Sequence, residues 1–227
     1  MEDKNFAERL NILRAGVLGA NDGIISIAGV VIGVASATSN IWFILISALS
    51  AIFAGAFSMA GGEYVSVSTQ KDTEEAAIAK EQVLLDRSPE AARESLYQTF
   101  LSQGDCETAA EVKVNQAFSK NPIKVLVEEK YGVDLEEITN PWHAAISSFF
   151  AFSVGSLPPA LAIMIFPEPY RIPVTVVVVA LTLLLTGYIS AKLGKAPIKQ
   201  AMLRNLTVGL LTMLVTYVVG QVFHVNV

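Results

Sequence analysis

The chain has 227 residues, of which 52% are hydrophobic and 16% are charged, and its mean hydropathy is +0.50. This composition excludes an ordinary soluble globular domain and favours a membrane protein. The net charge of −5, with mixed charges in the polar part of the chain, excludes a basic groove for nucleic acid. A single cysteine, Cys106, excludes an intramolecular disulfide, a multi-cysteine metal site and an iron–sulfur cluster.

Five apolar stretches reach the length of about 20 residues that a helix needs to cross the hydrocarbon layer of a bilayer. They lie at 15–39, 42–62, 144–166, 173–191 and 205–223. The first stretch has no short apolar core followed by a small-residue cleavage site, so we interpret it as a retained span and not a signal peptide. The sequence therefore predicts an all-α integral membrane protein with five transmembrane helices.

The basic residues predict the orientation of these spans. With five spans, the N-terminal segment, the long loop after the second span and the loop after the fourth span share one side of the membrane, and they hold 15 of the 16 Lys and Arg residues. Arg171 alone lies on the opposite side. Because short cytosolic loops carry an excess of Lys and Arg, we expect a cytosolic N-terminus and an external C-terminus.

The long loop predicts a helical insert on the cytosolic side, so that the chain divides into segments 1–64, 65–143 and 144–227. The second span continues as a helix into the insert, because the residues that follow it up to Arg87 include no Gly or Pro. Three more helices are expected, with Ser88, Asp105 and Asn121 as their N-terminal caps. Gly132 is expected to end the last of them.

Glutamates of the insert recur at helical spacing. Pairs one or two turns apart share a helix face, and their mutual repulsion would be relieved by a bound cation. The alternative interpretation is a solvated acidic face. The candidate metal ligands of the insert are Glu74, Glu81, Glu90, Glu94, Glu107 and Glu111.

Two further candidate metal sites lie within the spans. Asp22 is the only formally charged residue inside the five apolar stretches, and an ionised carboxylate in hydrocarbon needs a cation, a proton or a water-filled cavity. Met59 and Glu63 stand four residues apart at the end of the second span and share one helical face. A thioether beside a carboxylate suits Fe²⁺ or Mn²⁺ better than Mg²⁺ or Ca²⁺. The alternatives are an Asp bonded to neighbouring polar groups and a Met used only for packing.

Other features of the spans concern helix packing. Gly29 and Gly33 form a pair of small residues one turn apart, which predicts close helix contact within or between subunits. Pro158 and Pro159 predict a break or kink in the third span, because proline removes helical hydrogen bonds.

Three motifs then resemble a known family: Leu-Arg-Ala-Gly-Val-Leu-Gly-Ala-Asn-Asp-Gly at 13–23, Ser-Met-Ala-Gly-Gly-Glu-Tyr-Val-Ser-Val at 58–67 and Asn-Pro-Trp at 140–142. With five spans and a helical insert after the second, the chain resembles the vacuolar iron transporter family, in its bacterial branch. The resemblance implies a homodimer whose first spans line a central pathway, with antiport of protons against Fe²⁺ and related ions. It also implies that Asp22 and Met59 are the family's transport residues.

The chain departs from the family pattern at two places. Eukaryotic members carry an acidic residue two turns before the methionine, where this chain has Ala51. In the insert, Glu81 matches a metal ligand of the family, whereas the methionine and glutamate expected in the last insert helix fall near Leu126 and Lys130. The resemblance therefore implies metal binding by the insert less firmly than it implies transport.

Two classes of function stay open on the sequence alone. The leading hypothesis is a transporter in the bacterial cell membrane that exports Fe²⁺ or Mn²⁺ from the cytosol and holds no tightly bound cofactor. The alternative is a membrane-bound metal sensor or scaffold without transport. An intramembrane hydrolase is disfavoured, because His143 and His224 lie at span ends on opposite sides of the membrane, where neither can serve as an embedded base.

Overall fold

The computed structural model of the protein describes residues 6–135 and 140–223, with side chains described from residue 12 onward. The remaining positions, which include His224, lie outside the described residues. The described chain is all-helical, as predicted. Its elements in order are α1 (Phe6–Ala37), α2 (Ile41–Arg87), α3 (Pro89–Ser102), α4 (Glu107–Lys120), α5 (Pro122–Tyr131), α6 (Pro141–Ile165), α7 (Glu168–Leu193) and α8 (Ile198–Val222).

Five of these helices, α1, α2, α6, α7 and α8, are long and apolar enough to cross a membrane, which confirms the predicted number of spans. Many of their large apolar side chains are exposed, among them Phe57, Leu181 and Val222. Such exposure fits helices whose solvent is lipid. As predicted, α2 continues past the apolar stretch, since it runs for 47 residues without interruption.

The chain forms two compact units. The larger unit, which we call the membrane domain, comprises Leu10–Tyr64 and Pro141–Val227. The smaller unit contains Val65–Asn140, and we call that segment the insert.

The membrane domain is packed around α1. The α1 and α6 backbones approach so closely that a Cβ built at Gly23 would lie 2.3 Å from the Phe152 carbonyl oxygen. A Cβ at Gly155 would lie 2.2 Å from the Ala20 carbonyl oxygen. Glycine is therefore required at both positions. The buried core of this domain includes Ile24, Ile27, Val31, Ile44, Phe152, Ile163, Val179 and Leu183.

The predicted small-residue pair packs within the chain. Cβ atoms at Gly29 and Gly33 would each lie 3.2 Å from an atom of α8, the Thr212 methyl group and the Thr216 carbonyl oxygen, respectively. The pair therefore serves contact between α1 and α8.

The sequence predicted a break or a kink in the third span, and the break is wrong, because α6 runs through Pro158 and Pro159 as one helix. Each proline deprives a carbonyl one turn earlier of its helical partner. The helix nevertheless continues, because it is held on both sides of the prolines by packing. Ser156, Pro159, Ala160 and Ile163 are all buried.

The insert packs α3, α4 and α5 around a small apolar core that includes Leu96, Phe100, Val114 and Leu126. Ser88 occupies the N-cap position of α3 with Pro89 after it, as predicted, but its side chain makes no cap bond. The cap predicted at Asp105 is wrong, because Cys106 occupies the N-cap position of α4. Asp105 instead pairs with Lys113 at 2.5 Å.

The start and end of α5 agree with the sequence. Asn121 Oδ1 accepts from the Lys124 backbone N–H at 3.3 Å, so this predicted cap is confirmed. The helix ends at Gly132, whose φ of 68° lies in the left-handed region that glycine adopts readily.

Candidate metal centre

Asp22, Met59 and Glu63 line one cavity of about 300 Å³ in the membrane domain. Asp22 lies on α1, and the other two lie one turn apart on α2, where 3.6 residues per turn aim their side chains in the same direction. The structure thus brings together the three intramembrane candidates that the sequence singled out. The remaining lining residues are Leu18, Ser26, Ile27, Val30, Ala51, Gly55, Ser58, Gly62 and Phe152.

Asp22 is only partly buried, and its carboxylate is held by a neighbour on its own helix. Ser26 Oγ donates to Asp22 Oδ1 at 2.6 Å. Because Ser26 follows by four residues, it lies one turn further along the same face. Its hydroxyl orients the carboxylate without neutralising it, so the negative charge remains available to a cation.

Glu63 forms an ion pair with Arg14, a residue that the sequence analysis used only to predict the orientation of the spans in the membrane. Arg14 Nη2 lies 3.0 Å from Glu63 Oε1. The Glu63 side chain is 10% exposed, whereas that of Arg14 is 62% exposed. The carboxylate is therefore shielded, while its guanidinium partner can move away into the surroundings.

Phe152 of α6 closes part of the cavity wall, and no motif or spacing in the sequence pointed to it. Its ring packs on Gly55 so closely that a Cβ there would lie 2.2 Å from the Phe152 Cζ atom. Ala51 lines the same cavity one turn before Gly55. Ala51, where this chain lacks the acidic residue of the eukaryotic members, thus lines this site.

The donors that line the cavity are two carboxylates, one thioether and the hydroxyls of Ser26 and Ser58. Hard oxygen donors combined with a soft sulfur donor suit a divalent transition metal better than Mg²⁺ or Ca²⁺. In the part of the chain that the structure describes, no group of three or more His, Cys, Asp and Glu side chains is placed to hold a metal ion.

The insert contains a second acidic cavity of about 290 Å³. Glu90, Glu94 and Glu111 line it together with Arg93 and Tyr97, so α3 and α4 both contribute. Burial raises the pKa of Tyr97, and the negative charges of Glu107, Glu111 and Glu94 raise it further. Four of the six predicted insert residues therefore surround one tyrosine, whose hydroxyl stays protonated at neutral pH.

Glu81 stands apart from those four, because it already has a cation inside the protein. Its side chain is 1% exposed, and Glu81 Oε1 accepts from Lys130 Nζ at 2.7 Å and from the Tyr131 hydroxyl at 2.8 Å. Lys130 also donates to Ser95 Oγ at 3.0 Å. Burial alone would raise the pKa of Glu81, but the hydrogen bonds from Lys130 and Tyr131 and the positive charges of Lys130 and Lys80 outweigh it and lower the pKa.

Glu74 is not brought to either cavity. It lies on the exposed part of α2 that belongs to the insert, where it accepts from Gln70 Nε2 at 2.8 Å. The six predicted insert residues thus divide into a group of four around Tyr97, the buried Glu81 and the separate Glu74.

Comparison with known proteins agrees with this architecture. The model of the VIT family matches residues 13–221, which is nearly the whole chain. The vacuolar iron transporter of Acanthamoeba castellanii is 37% identical over 210 residues, which cover 92% of this chain and 77% of that protein. Vacuolar iron transporter homolog 3 of Arabidopsis thaliana is 32% identical over 215 residues, which cover 94% of this chain and 84% of that protein.

A rice relative is similar to the same extent. Vacuolar iron transporter homolog 1 of Oryza sativa subsp. japonica is 32% identical over 224 residues, which cover 98% of this chain and 78% of that protein. These names describe transporters and not enzymes. The chain therefore belongs to the VIT family and is an integral membrane protein.

Proposed function

We propose that the protein exports a divalent transition metal, Fe²⁺ and also Mn²⁺, from the cytosol in exchange for protons. The observation that carries this proposal is the single cavity that Asp22, Met59 and Glu63 share within the membrane domain. A carboxylate in a membrane span is costly unless it serves an ion or a proton. The names of the relatives, which describe iron transporters, support the same class of substrate.

The route begins on the cytosolic side, where we place the N-terminus and the insert because the short basic segments lie there. Met59 and Glu63 receive the ion from the cytosol, and Asp22 then binds it deeper in the membrane on the way to the external side. A proton that arrives from the external side neutralises Asp22 or Glu63 and so releases the ion. Exchange with protons follows, because the same carboxylates bind either species.

A homodimer completes the coordination of the ion. One chain offers two carboxylates, one thioether and the hydroxyls of Ser26 and Ser58 at this cavity, and the carboxylate of Glu63 is already paired with Arg14. Octahedral coordination, which oxygen-rich Mn²⁺ sites adopt, needs six donors. A second copy that faces the first across α1 doubles the number of donor groups available to the ion.

Replacement of Met59 by Leu tests the choice among metals. Leu keeps the apolar volume but removes the soft donor, so we expect transport of Fe²⁺ to fall about tenfold relative to that of Mn²⁺, the equivalent of about 1.4 kcal/mol. The measurement is the ratio of Fe²⁺ to Mn²⁺ flux into proteoliposomes. Met164→Leu is the matched control, because Met164 packs in the core without lining the cavity. An unchanged ratio in Met59→Leu would assign Met59 to packing.

We further propose that Glu90, Glu94, Glu107 and Glu111 collect the metal on the insert before it enters the membrane domain. The charges that face Tyr97 support this, as does the relief of repulsion that a bound cation brings. Glu81 is left out of this set, because Lys130 already neutralises it.

The double variant Glu94→Gln/Glu111→Gln tests the insert site on the full chain in detergent. We expect its Mn²⁺ affinity in calorimetry to fall by about tenfold or more for one class of sites, since two charges leave the cavity. Glu74→Gln/Glu75→Gln removes two charges from α2 elsewhere in the insert and should leave the affinity unchanged. Equal behaviour of the two variants would favour a solvated acidic face.

Flux into proteoliposomes separates transport from the alternative of a sensor or scaffold. We expect the wild-type protein to carry Fe²⁺ across the bilayer, and an opposing proton gradient should accelerate the flux. Metal binding without any flux would support the sensor. Flux that does not change with the proton gradient would contradict antiport of protons.

A further inference from the structure

We propose that two adjoining cavities beside α1 form a binding site for one anionic phospholipid. A polar cavity of about 450 Å³ holds the head group, and an apolar cavity of about 400 Å³ holds part of an acyl chain. Leu13, Val17 and Ser190 line both cavities, so the two volumes adjoin. The polar cavity also adjoins the cavity that contains Asp22, because Leu18 lines both, but none of the candidate metal ligands Asp22, Met59 and Glu63 lines it.

The polar cavity lies between the first part of α1 and the connection from α7 to α8. Arg14 and Asn21 contribute from α1, and Arg204 and Asn205 contribute from α8. Two guanidinium groups at one cavity favour a phosphate, because each can donate two parallel hydrogen bonds to its oxygens. Basic pockets between membrane-spanning helices are a recognised setting for anionic head groups.

The two arginines of this cavity differ in their ion pairing. Arg204 has no ion-pair partner among the described residues, and residues 192–204 include four basic residues and no acidic one. Arg14 is paired with Glu63, but that bond uses only one of its donors. A bound anion would therefore neutralise Arg204 and could also accept from the remaining donors of Arg14.

Asn21 gives a second indication of the ligand. Its Oδ1 atom is buried and accepts no hydrogen bond within the described part of the chain. A buried acceptor without a donor is unfavourable. A hydroxyl of a glycerol head group supplies that donor, so phosphatidylglycerol fits both the arginines and the amide.

The apolar cavity distinguishes a lipid from a soluble anion. Gly16 and Ala20 of α1, Ala151 of α6 and Ile189 of α7 line it, and their small or aliphatic side chains leave a groove for hydrocarbon. A phosphate or a small polar metabolite would leave this groove unused. One phospholipid occupies both volumes and replaces exposed apolar surface with acyl contacts.

A second copy of the chain is a poorer occupant of the polar cavity. A twofold axis placed there would bring the arginines of one copy towards those of the other, and like charges in a desolvated interface repel. The anionic lipid removes this repulsion instead of creating it.

Native mass spectrometry of the purified full-length protein with equal amounts of phosphatidylglycerol and phosphatidylcholine tests this site. We expect phosphatidylglycerol adducts to exceed phosphatidylcholine adducts by about fivefold or more, since one basic residue near an anionic lipid contributes about that factor. Arg204→Gln should remove about fivefold of this preference. Lys199→Gln, which removes one charge from the first turn of α8 without lining the cavity, should change it less than twofold.

Further variants separate the effect of charge from those of folding and of the apolar cavity. Arg204→Lys retains the charge and should keep part of the preference, which separates charge from any folding defect. Ala151→Leu narrows the apolar cavity and should reduce bound lipid of both kinds. Millimolar glycerol phosphate should not displace the lipid.

Four outcomes would overturn the proposal. Equal retention of the two lipids, or equal effects of Arg204→Gln and Lys199→Gln, would reduce the arginines to general surface charge. Displacement by glycerol phosphate would indicate a free-phosphate site. Adducts on the monomer that vanish on a dimer would assign the cavity to a second copy.

Discussion

Asp22→Asn is expected to reduce Fe²⁺ transport to background while the protein stays folded. Asn keeps the shape of the side chain but removes the charge, and two unit charges near 4 Å interact by about 4 kcal/mol at an effective dielectric constant of 20, which corresponds to about 1000-fold. The folded state should be equally or more stable, because a charge in a membrane span is unfavourable by about 2.5–3.5 kcal/mol on insertion scales. The measurements are Fe²⁺ flux in proteoliposomes and thermal stability in detergent.

Ser26→Ala is the matched control for this prediction. It removes the hydrogen bond to Asp22 Oδ1 and keeps the carboxylate. One hydrogen bond contributes about 0.5–1.5 kcal/mol, so transport should stay within about tenfold of the wild type. A stable Asp22→Asn protein with wild-type flux would remove Asp22 from the mechanism.

Lys130→Met is expected to destabilise the insert by about 3–5 kcal/mol, because it leaves the carboxylate of Glu81 buried without its cation. Hydrogen exchange of α3 and α5 amides in the full-length protein measures this, and their protection should fall by about 100-fold or more. Lys124→Met is the matched control on the same helix. The Lys124–Asp134 pair is partly exposed with a separation of 4.0 Å, so its loss should affect stability by less than about 1 kcal/mol.

The same ion pair predicts an acid dependence. The pKa of Glu81 lies below its ordinary value of 4.5 in the folded protein, so the contribution of the pair is complete above that value and is lost as the pH falls through the folded pKa. The double variant Glu81→Leu/Lys130→Met should regain most of the stability and lose this part of the acid dependence. Equal protection of Lys130→Met and Lys124→Met at neutral pH would contradict the importance of the buried pair.

The membrane architecture could be predicted from the sequence, because hydrocarbon imposes one length and one type of element on each span. The three cavity residues Asp22, Met59 and Glu63 could also be singled out. Each is chemically unusual where it stands, and helical spacing alone places Met59 and Glu63 on one face. These inferences use only local sequence and the properties of the bilayer.

Residues that depend on tertiary packing could not be found in this way. Arg14 lies 49 positions from Glu63, and Phe152 comes from a third helix, so no local spacing connects them to the site. Ser26 is different, because its position one turn after Asp22 was a visible signal for a hydrogen bond.

The insert shows the same limit. Lys130 reaches Glu81 from 49 residues away, and this contact turns a predicted metal ligand into half of an ion pair. Ser88 holds the predicted N-cap position without a side-chain cap bond, whereas the cap predicted at Asp105 was wrong because Cys106 takes that position. Ser88 leaves the start of α3 to Pro89, and Asp105 bonds to Lys113 one residue before the cap position.

In the proposed function, a transition metal passes through the cavity between α1 and α2. Anomalous diffraction from crystals of the protein soaked in Mn²⁺ or Fe²⁺ tests this most directly, because it locates the ion independently of any assay of flux. We expect an anomalous peak within coordination distance of Asp22 and Met59, about 2–2.5 Å from their donor atoms, that disappears in Asp22→Asn. Peaks confined to the insert, or a peak that is unchanged in Asp22→Asn, would contradict the account.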